Sequence, residues 1–212
     1  MSQRTQRQIQ TSGRYHPQMD ESLVRAFPAR LAPVVTDVVK ALPKARWPPA
    51  GSVTESNTRS WPGLVVAGEP VVIPHRIYNP SPSFWRPLGH LEKLVVAGIY
   101  SRHHDGFVRQ RWLGMLLDAD VPWVAPFIIQ LLGEYVIQIC YDIERFARSD
   151  LPAHSSLHQH LSAFLHDNPC FAELTRQRAM SYWDCYYWFH HLSQDMYPAL
   201  VALSILSGGR TT

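Results

Sequence analysis

The sequence has few lysines, few cysteines and no uninterrupted long apolar run, and each shortage excludes a class of protein. Lysine supplies only three of the 20 basic residues, and the arginines are scattered along a chain whose formal net charge is +3. Nucleic-acid binding usually requires a concentrated basic patch, so it is not expected. Three cysteines with long gaps and no CxxC pair exclude a disulfide framework or a cysteine zinc site. We expect Cys140, Cys170 and Cys185 to be small buried residues in a reducing compartment.

An apolar segment that could cross a bilayer is also missing. The most apolar stretch, Val121 to Ile143, has Glu134 near its midpoint, and an ionised carboxylate is costly in lipid. Residues 1–20 lack the apolar core of a secretory signal, and we expect them to form a disordered tail. The sequence therefore predicts no membrane partner and a cytoplasmic location.

The common signatures of catalysis and cofactor binding are absent as well. The chain contains no GxGxxG, phosphate-binding loop, GxSxG or HExxH motif. His154 and His158 are four residues apart, which suits metal chelation on a helix, but the spacing implies no third ligand. We expect these histidines to lie on a solvated helix face, and we expect no metal and no cofactor.

What the chain does contain is apolar periodicity of the helical kind. An apolar fraction of 46% is enough for a substantial core, and from Leu88 onward apolar residues recur at helical spacing. Asp105 is placed to cap a helix whose expected buried side is Phe107, Val108, Trp112, Met115 and Leu116. The prediction is a mostly α-helical single domain over residues 21–207, built as an antiparallel helical bundle or a short helical stack.

One segment departs from helical periodicity. The β-branched runs 64–66 and 71–73 are separated by Ala-Gly-Glu-Pro, which predicts a β-hairpin near residues 63–78. An isolated hairpin is marginal in water. We therefore expect residues 61–78 to form a flap that packs on the helices.

Residues 102–148 resemble the bacterial HEAT-like helical repeats. The run HDGFVRQR aligns with LGEYVIQI at an offset of 28, and a proline opens the intervening helix, as in that family. The second copy departs from the family pattern because Ile137 stands where the first copy has Arg109. Residues 168–188 are similar to uncharacterised proteins of actinomycete-like bacteria. The resemblance implies a curved HEAT-like helical stack that serves as a binding surface.

Four polar residues are spaced by four along the most apolar segment: Gln130, Glu134, Gln138 and Asp142. If residues 123–148 form one helix, they make a polar stripe on an apolar cylinder. A buried Glu134 would need a cation, and Arg111 on the preceding helix is the favoured partner, followed by Arg109 and His104. Alternatives are a polar pocket with Glu134 as general base or cation ligand, and a solvent-facing stripe. A break at Gly133 would divide the stripe between two helices.

Two further clusters combine polar and aromatic groups. In the run 102–105, Asp105 is expected to cap a helix, and the alternative is acid–base work by His104 and Asp105 at a cleft. The run SYWDCYYWF contains Tyr182, Trp183 and Asp184. It favours a helix covered on several sides, and the alternative is an aromatic pocket or a partner-binding patch. The expected core-facing stripe of this helix is Phe171, Leu174, Cys185, Phe189 and Leu192.

These features support three functions. The leading prediction is a non-enzymatic helical binding or scaffold protein that recognises a protein partner. The alternative is a small enzyme that binds a small-molecule ligand, with Glu134 or Asp105 as base, Arg109 or Arg111 holding an anion, and Gln130, Gln138 and the aromatic run lining the pocket. The third is a helical-repeat protein that binds DNA.

Overall fold

The computed structural model describes residues 17–43, 54–55, 63–82, 88–150, 155–190 and 193–208. Within these ranges the chain is mostly helical, with two small antiparallel strand pairs. This confirms the predicted fold class. No helix in the described ranges has both the length and the apolar character that a membrane span requires.

The boundaries of the helices carry recognisable capping signals. Asp105 accepts a hydrogen bond from the Phe107 N–H, and Ser155 accepts one from the His158 N–H, so both act as N-caps. Several helices have a proline in the first turn, where no N–H partner is lost. In chain order the helices are α1 (Pro17–Val24), α2 (Ala32–Ala41), α3 (His90–Tyr100), α4 (Gly106–Leu117), α5 (Ala125–Leu132), α6 (Ile137–Asp150), α7 (Ser156–Asp167), α8 (Pro169–Tyr182) and α9 (Pro198–Leu206). Short 3₁₀ turns lie at Ala29–Leu31, Pro122–Val124 and Gln194–Met196.

Helix α5 is the centre of the bundle. Every one of its residues is buried, as expected for a helix that is apolar on all sides. It contacts α4, α6, α7, α8 and α9. The pair α3–α4 packs against the pair α5–α6 through α4 and α6, whereas α9 covers α6 along much of its length. The stacking of successive pairs therefore ends at α6, and α7 to α9 close around α5.

The predicted hairpin is present, with a tighter turn than expected. Its strands are β2 (Leu64–Val66) and β3 (Glu69–Val71), joined by Ala67 and Gly68, which both have positive φ. The second strand was expected at 71–73. A two-residue turn suits the right-handed twist of the paired strands. With this shorter turn, the second strand begins at Glu69, two residues earlier than expected. A second pair joins β1 (Thr54–Glu55) to β4 (Pro74–Arg76).

The hairpin is fixed to the helices by Asn168, the residue before α8. Its side chain accepts a hydrogen bond from the Val65 N–H at 2.8 Å and donates one to the Val65 carbonyl at 2.9 Å. Val65 lies opposite Pro70, which has no N–H to donate. The pairing tolerates this proline because the N–H and carbonyl of Val65 bond to Asn168 instead. The side chains of Leu64, Val66 and Val71 are buried, which confirms that the flap packs on the helices.

The sequence left open whether residues 123–148 form one helix or two, and the structure shows two, because the chain leaves α5 at Gly133 and re-enters a helix at Ile137. Two expectations were wrong in detail. Phe107 is 82% exposed, because it lies in the first turn of α4 on the side away from the core. Helix α1 begins at Pro17, inside the expected tail, and the rest of that tail lies outside the described residues.

Candidate functional site

Glu134 lies in the turn between α5 and α6 and is surrounded by three guanidiniums. Its Oε1 accepts hydrogen bonds from Arg102 Nη2 at 2.7 Å and from Arg76 Nη1 at 2.8 Å. Arg109 Nε is 2.9 Å from Oε2, but its N–H is not aligned with that oxygen, so this contact is an ion pair without a hydrogen bond. The side chain of Glu134 is 5% exposed. We call these four residues the arginine–glutamate cluster.

Backbone carbonyls hold the two deepest arginines in place. Arg102 donates to the carbonyls of Pro74, His75 and Ser101. Arg109 donates to the carbonyls of His103 and His104. Carbonyls at the end of a helix lack intrahelical partners, and the loop after α3 offers several of them to these guanidiniums. The cluster thus ties β4, the α3–α4 loop, α4 and the α5–α6 turn into one unit.

The electrostatics of the cluster keep the carboxylate charged. Burial alone would raise the pKa of Glu134, but the guanidiniums of Arg102, Arg76 and Arg109 outweigh it and hold the pKa below its usual value. Burial lowers the pKa of Arg102 to about 10, although Glu134 opposes this change. Burial and the charges of Arg76, Arg102 and Arg178 lower the pKa of His75 to about 4. This part of the molecule is therefore electropositive.

The prediction of a buried ion pair at Glu134 is confirmed, and the choice of its main partner was wrong. Arg111 is exposed, because it faces the opposite side of α4 from Arg109. The alternative of a solvent-facing stripe fails at Gln130 and Glu134, which are both buried. Arg109 was among the expected partners, whereas Arg76 and Arg102 were missed. Nothing in the sequence around Arg102 indicates that its side chain is buried. Arg76 reaches the cluster only because β4 folds back onto the helices.

The break at Gly133 divides the expected polar stripe. Gln130, on α5, is 1% exposed, and both polar atoms of its side chain lack a hydrogen-bond partner among the described residues. Gln138 is exposed on α6, and Asp142 accepts a hydrogen bond from Gln110 Nε2 at 3.0 Å. Gln138 and Asp142 line an open groove of about 460 Å³ between α4 and α6. The same groove is lined by Gln110, Tyr141, Glu144, Arg145 and Arg148.

The histidines before α4 have structural partners. The Nδ1 of His103 accepts a hydrogen bond from the Asp105 N–H, which leaves Nε2 to donate to the Asn79 carbonyl at 3.0 Å. Burial lowers the pKa of His103, in agreement with this neutral form. The exposed ring of His104 stacks on Tyr78 with centroids 5.0 Å apart. Asp105 caps α4, as predicted.

Six aromatic side chains that are exposed or half-buried lie at and after the C-terminal end of α8 and in the α5–α6 turn. Ring contacts link Tyr135 to Tyr182, Tyr182 to Tyr186, and Tyr186 to Tyr187, with centroids 6.2 to 6.3 Å apart. Trp188 and Phe189 follow Tyr187 in the sequence and contact each other, with ring centroids 6.0 Å apart. We call Tyr135, Tyr182, Tyr186, Tyr187, Trp188 and Phe189 the aromatic surface.

The aromatic surface is open to solvent. The exposed fractions are 58% for Tyr186, 55% for Trp188, 56% for Phe189 and 48% for Tyr135. It is anchored from beneath, because the ring of Tyr187 stacks on buried Tyr197 and its hydroxyl donates to the Tyr135 carbonyl at 2.6 Å. Among the three predicted binding residues of the aromatic run, Tyr182 and Trp183 are half-buried and Asp184 is exposed.

A change of helix type explains why the predicted core-facing stripe was wrong beyond α8. After Tyr182 the chain forms a π-helical turn at Trp183–Tyr187, and its wider winding breaks the 3.6-residue period. Phe171 is buried and Leu174 half-buried, but Cys185 and Phe189 are exposed. Leu192 lies outside the described residues. Cys170 is exposed too, so only Cys140 fulfils the expectation of buried cysteines.

The described part of the chain holds no group of three or more histidine, cysteine or acidic side chains that could bind a metal ion. His154 lies outside that part, and His158 is buried. Comparison with protein-family models, curated proteins and solved structures gives no match. The resemblance to HEAT-like repeats therefore stays a prediction.

Proposed function

We propose that the chain is a non-enzymatic binding protein that recognises a protein partner through the aromatic surface. The observation that carries this proposal is the exposure of Tyr186, Trp188 and Phe189, each more than half accessible to solvent. Large aromatic side chains are enriched at the centres of protein interfaces, where they supply much of the binding energy. The same side chains exposed without a partner would favour aggregation.

The size of the surface supports a specific interface. With the exposed fractions of Tyr135, Tyr186, Trp188 and Phe189, these side chains present on the order of 500 Å² of accessible area. The largest apolar patch of a monomer is typically about 300–600 Å² and is often functional. Each partner of a standard interface buries about 800 Å². The aromatic surface would fill the centre of such an interface.

The arginine–glutamate cluster favours a structural role over the enzymatic alternative. A general base needs an oxygen that can reach a substrate proton. Glu134 Oε1 already accepts from two arginines, and Oε2 lies against Arg109. The lowered pKa of Glu134 also makes it a weaker base. The cluster instead holds Tyr135 at the edge of the aromatic surface.

The two exposed cysteines provide a test that needs no knowledge of the partner. Cys185 directly precedes Tyr186 of the aromatic surface, and Cys170 lies near the start of α8, about 22 Å away along the helix axis. The rate at which a thiol reagent modifies each cysteine would be measured by mass spectrometry in cells that express the chain naturally and in the purified protein. We expect Cys185, but not Cys170, to react more slowly in cells.

The substitution Trp188→Ser combined with Phe189→Ser should abolish that protection, whereas Leu91→Ser, at an exposed position in the first turn of α3, should retain it. Protection of Cys185 in the purified protein that grows with its concentration would identify a second copy as the occupant and overturn the proposal. An unchanged ratio of the two rates between cells and purified protein would also overturn it.

A further inference from the structure

We infer that the open edge of the arginine–glutamate cluster binds a small oxyanion of the phosphate class, held by Arg76 and Arg178. The inference is independent of the protein partner proposed for the aromatic surface. Three observations lead to it: an excess of positive charge in the cluster, side-chain donors of Arg76 that have no acceptor among the described residues, and the position of Arg178 beside that cluster.

The cluster has more positive charge than its single carboxylate can neutralise. Arg76, Arg102 and Arg109 pair with Glu134 at distances of 2.7 to 2.9 Å. Three guanidiniums against one carboxylate leave two positive charges uncompensated within the cluster. Arg102 remains charged at neutral pH, because burial lowers its pKa only to about 10. Uncompensated charge in a buried setting is costly, so an anion at the open edge of the cluster would be bound favourably.

Arg76 is the member of the cluster that an anion can approach. Its side chain is 17% exposed, whereas those of Arg102 and Arg109 are almost completely buried. Among the described residues it donates only through Nη1, to Glu134 Oε1 and to the His75 carbonyl. Its Nε and Nη2 are accessible to solvent and meet no acceptor in that part of the chain. These two atoms form one edge of the guanidinium, the edge that can donate two parallel hydrogen bonds to an oxyanion.

Arg178 brings another guanidinium close to the same edge. Its Cβ and Cδ each lie 3.6 Å from the position that a Cβ on Gly133 would occupy, so its half-buried side chain crosses the residue before Glu134. Burial and, to a lesser extent, the charge of Arg76 lower the pKa of Arg178, so these two guanidiniums repel each other. An anion that contacts both of them would relieve this repulsion.

Phosphate suits this edge better than a carboxylate does. A phosphate group carries a charge of about −1.5 to −2 at neutral pH and several strong acceptor oxygens, which matches the two uncompensated positive charges of the cluster. The planar fork of arginine binds two phosphate oxygens at once, so Arg76 and Arg178 can share one tetrahedral group. Free phosphate and a phosphate monoester have this chemistry in common.

Isothermal titration calorimetry on the purified full chain tests the ligand class, at constant ionic strength because exposed charges are screened by salt. The probes are inorganic phosphate, phenyl phosphate and acetate. We expect both phosphates to bind and acetate, a carboxylate with a single charge, to bind more weakly. Tighter binding of phenyl phosphate would identify an esterified phosphate as the ligand, and tighter binding of inorganic phosphate would identify the free ion. An affinity for acetate equal to that for both phosphates would overturn the inference.

Matched variants test the position of the site. Arg76→Gln and Arg178→Gln should each weaken phosphate binding by about tenfold, because each removes a charge-assisted hydrogen bond. Arg176→Gln is the control on the same helix, since Arg176 is exposed and pairs with Glu173, and it should bind phosphate as the wild type does.

Circular dichroism would verify that each variant is folded, and Arg178→Gln alone suffices if Arg76→Gln does not fold. The absence of phosphate binding by the wild type would overturn the inference. Affinities of Arg76→Gln and Arg178→Gln equal to that of Arg176→Gln would overturn it as well, because the phosphate would then bind elsewhere.

Discussion

Replacement of Glu134 by glutamine removes the carboxylate that three guanidiniums share, while it preserves the size of the side chain. Arg102 and Arg109 are 1% and 0% exposed, so neither can turn into water to recover its solvation. Their backbone carbonyl partners remain, but carbonyl dipoles do not neutralise the positive charge of the cluster. The substitution Glu134→Gln should therefore destabilise the fold strongly.

The magnitude follows from the burial of the pairs. Removal of one member of a buried ion pair costs about 3–5 kcal/mol because a buried charge is left without compensation. A domain of this size loses roughly 2–4 °C of melting temperature for each kcal/mol, so the expected decrease is about 6–20 °C. Arg76 is the most exposed member of the cluster, at 17%. Arg76→Gln should accordingly cost only about 1–3 kcal/mol.

Thermal and urea unfolding followed by far-ultraviolet circular dichroism would measure these changes. Arg111→Gln is the control, because Arg111 is exposed, and surface substitutions usually change stability by less than about 0.5 kcal/mol. Should Glu134→Gln fail to fold, Arg76→Gln still measures the cluster. Melting temperatures of both variants within about 2 °C of the wild type would refute the structural role of the cluster.

Three further predictions concern stability. Gln130→Met should raise the free energy of unfolding by about 1 kcal/mol in urea titrations, because a buried amide without partners is removed; a loss would show that the amide has an interior partner. Ala67→Gly should stabilise the hairpin by about 1 kcal/mol, because Ala67 has φ of 49°, and a lower melting temperature would contradict this reasoning. The pKa of His75 is lowered to about 4 in the folded chain, so the unfolded chain binds more protons below its ordinary value near 6.5. The free energy of unfolding should therefore decrease as the pH is lowered from 6.5 to 4, and His75→Gln should flatten this dependence. An equal dependence of stability on pH in both proteins would argue against the lowered pKa of His75.

Local chemistry was the most predictable part of the fold. The cap at Asp105 and the apolar periodicity of the helices depend on neighbouring residues, which the sequence displays directly. The burial of Glu134 was predictable as well, because a carboxylate in the middle of the most apolar segment has few alternatives. The arginines that pair with Glu134 were harder to predict. Arg102 and Arg76 come from segments whose approach depends on the whole fold.

The exposed face of the aromatic run could not be predicted from the sequence either. A regular helical period placed Cys185 and Phe189 in the core, and the π-helical turn at Trp183–Tyr187 rotated them into solvent. A single wider turn leaves little trace in the sequence, since the residues on both sides remain aromatic. The density of aromatic residues indicated an unusual region, but only the backbone geometry shows which face is exposed.

The most direct test of the central claim is the ratio of Cys185 to Cys170 modification rates, compared between intact cells and the purified chain. A covered aromatic surface predicts a lower ratio in cells, restored to the purified value by the Trp188→Ser and Phe189→Ser substitutions. Identical ratios in both settings would contradict the claim that this surface binds a partner.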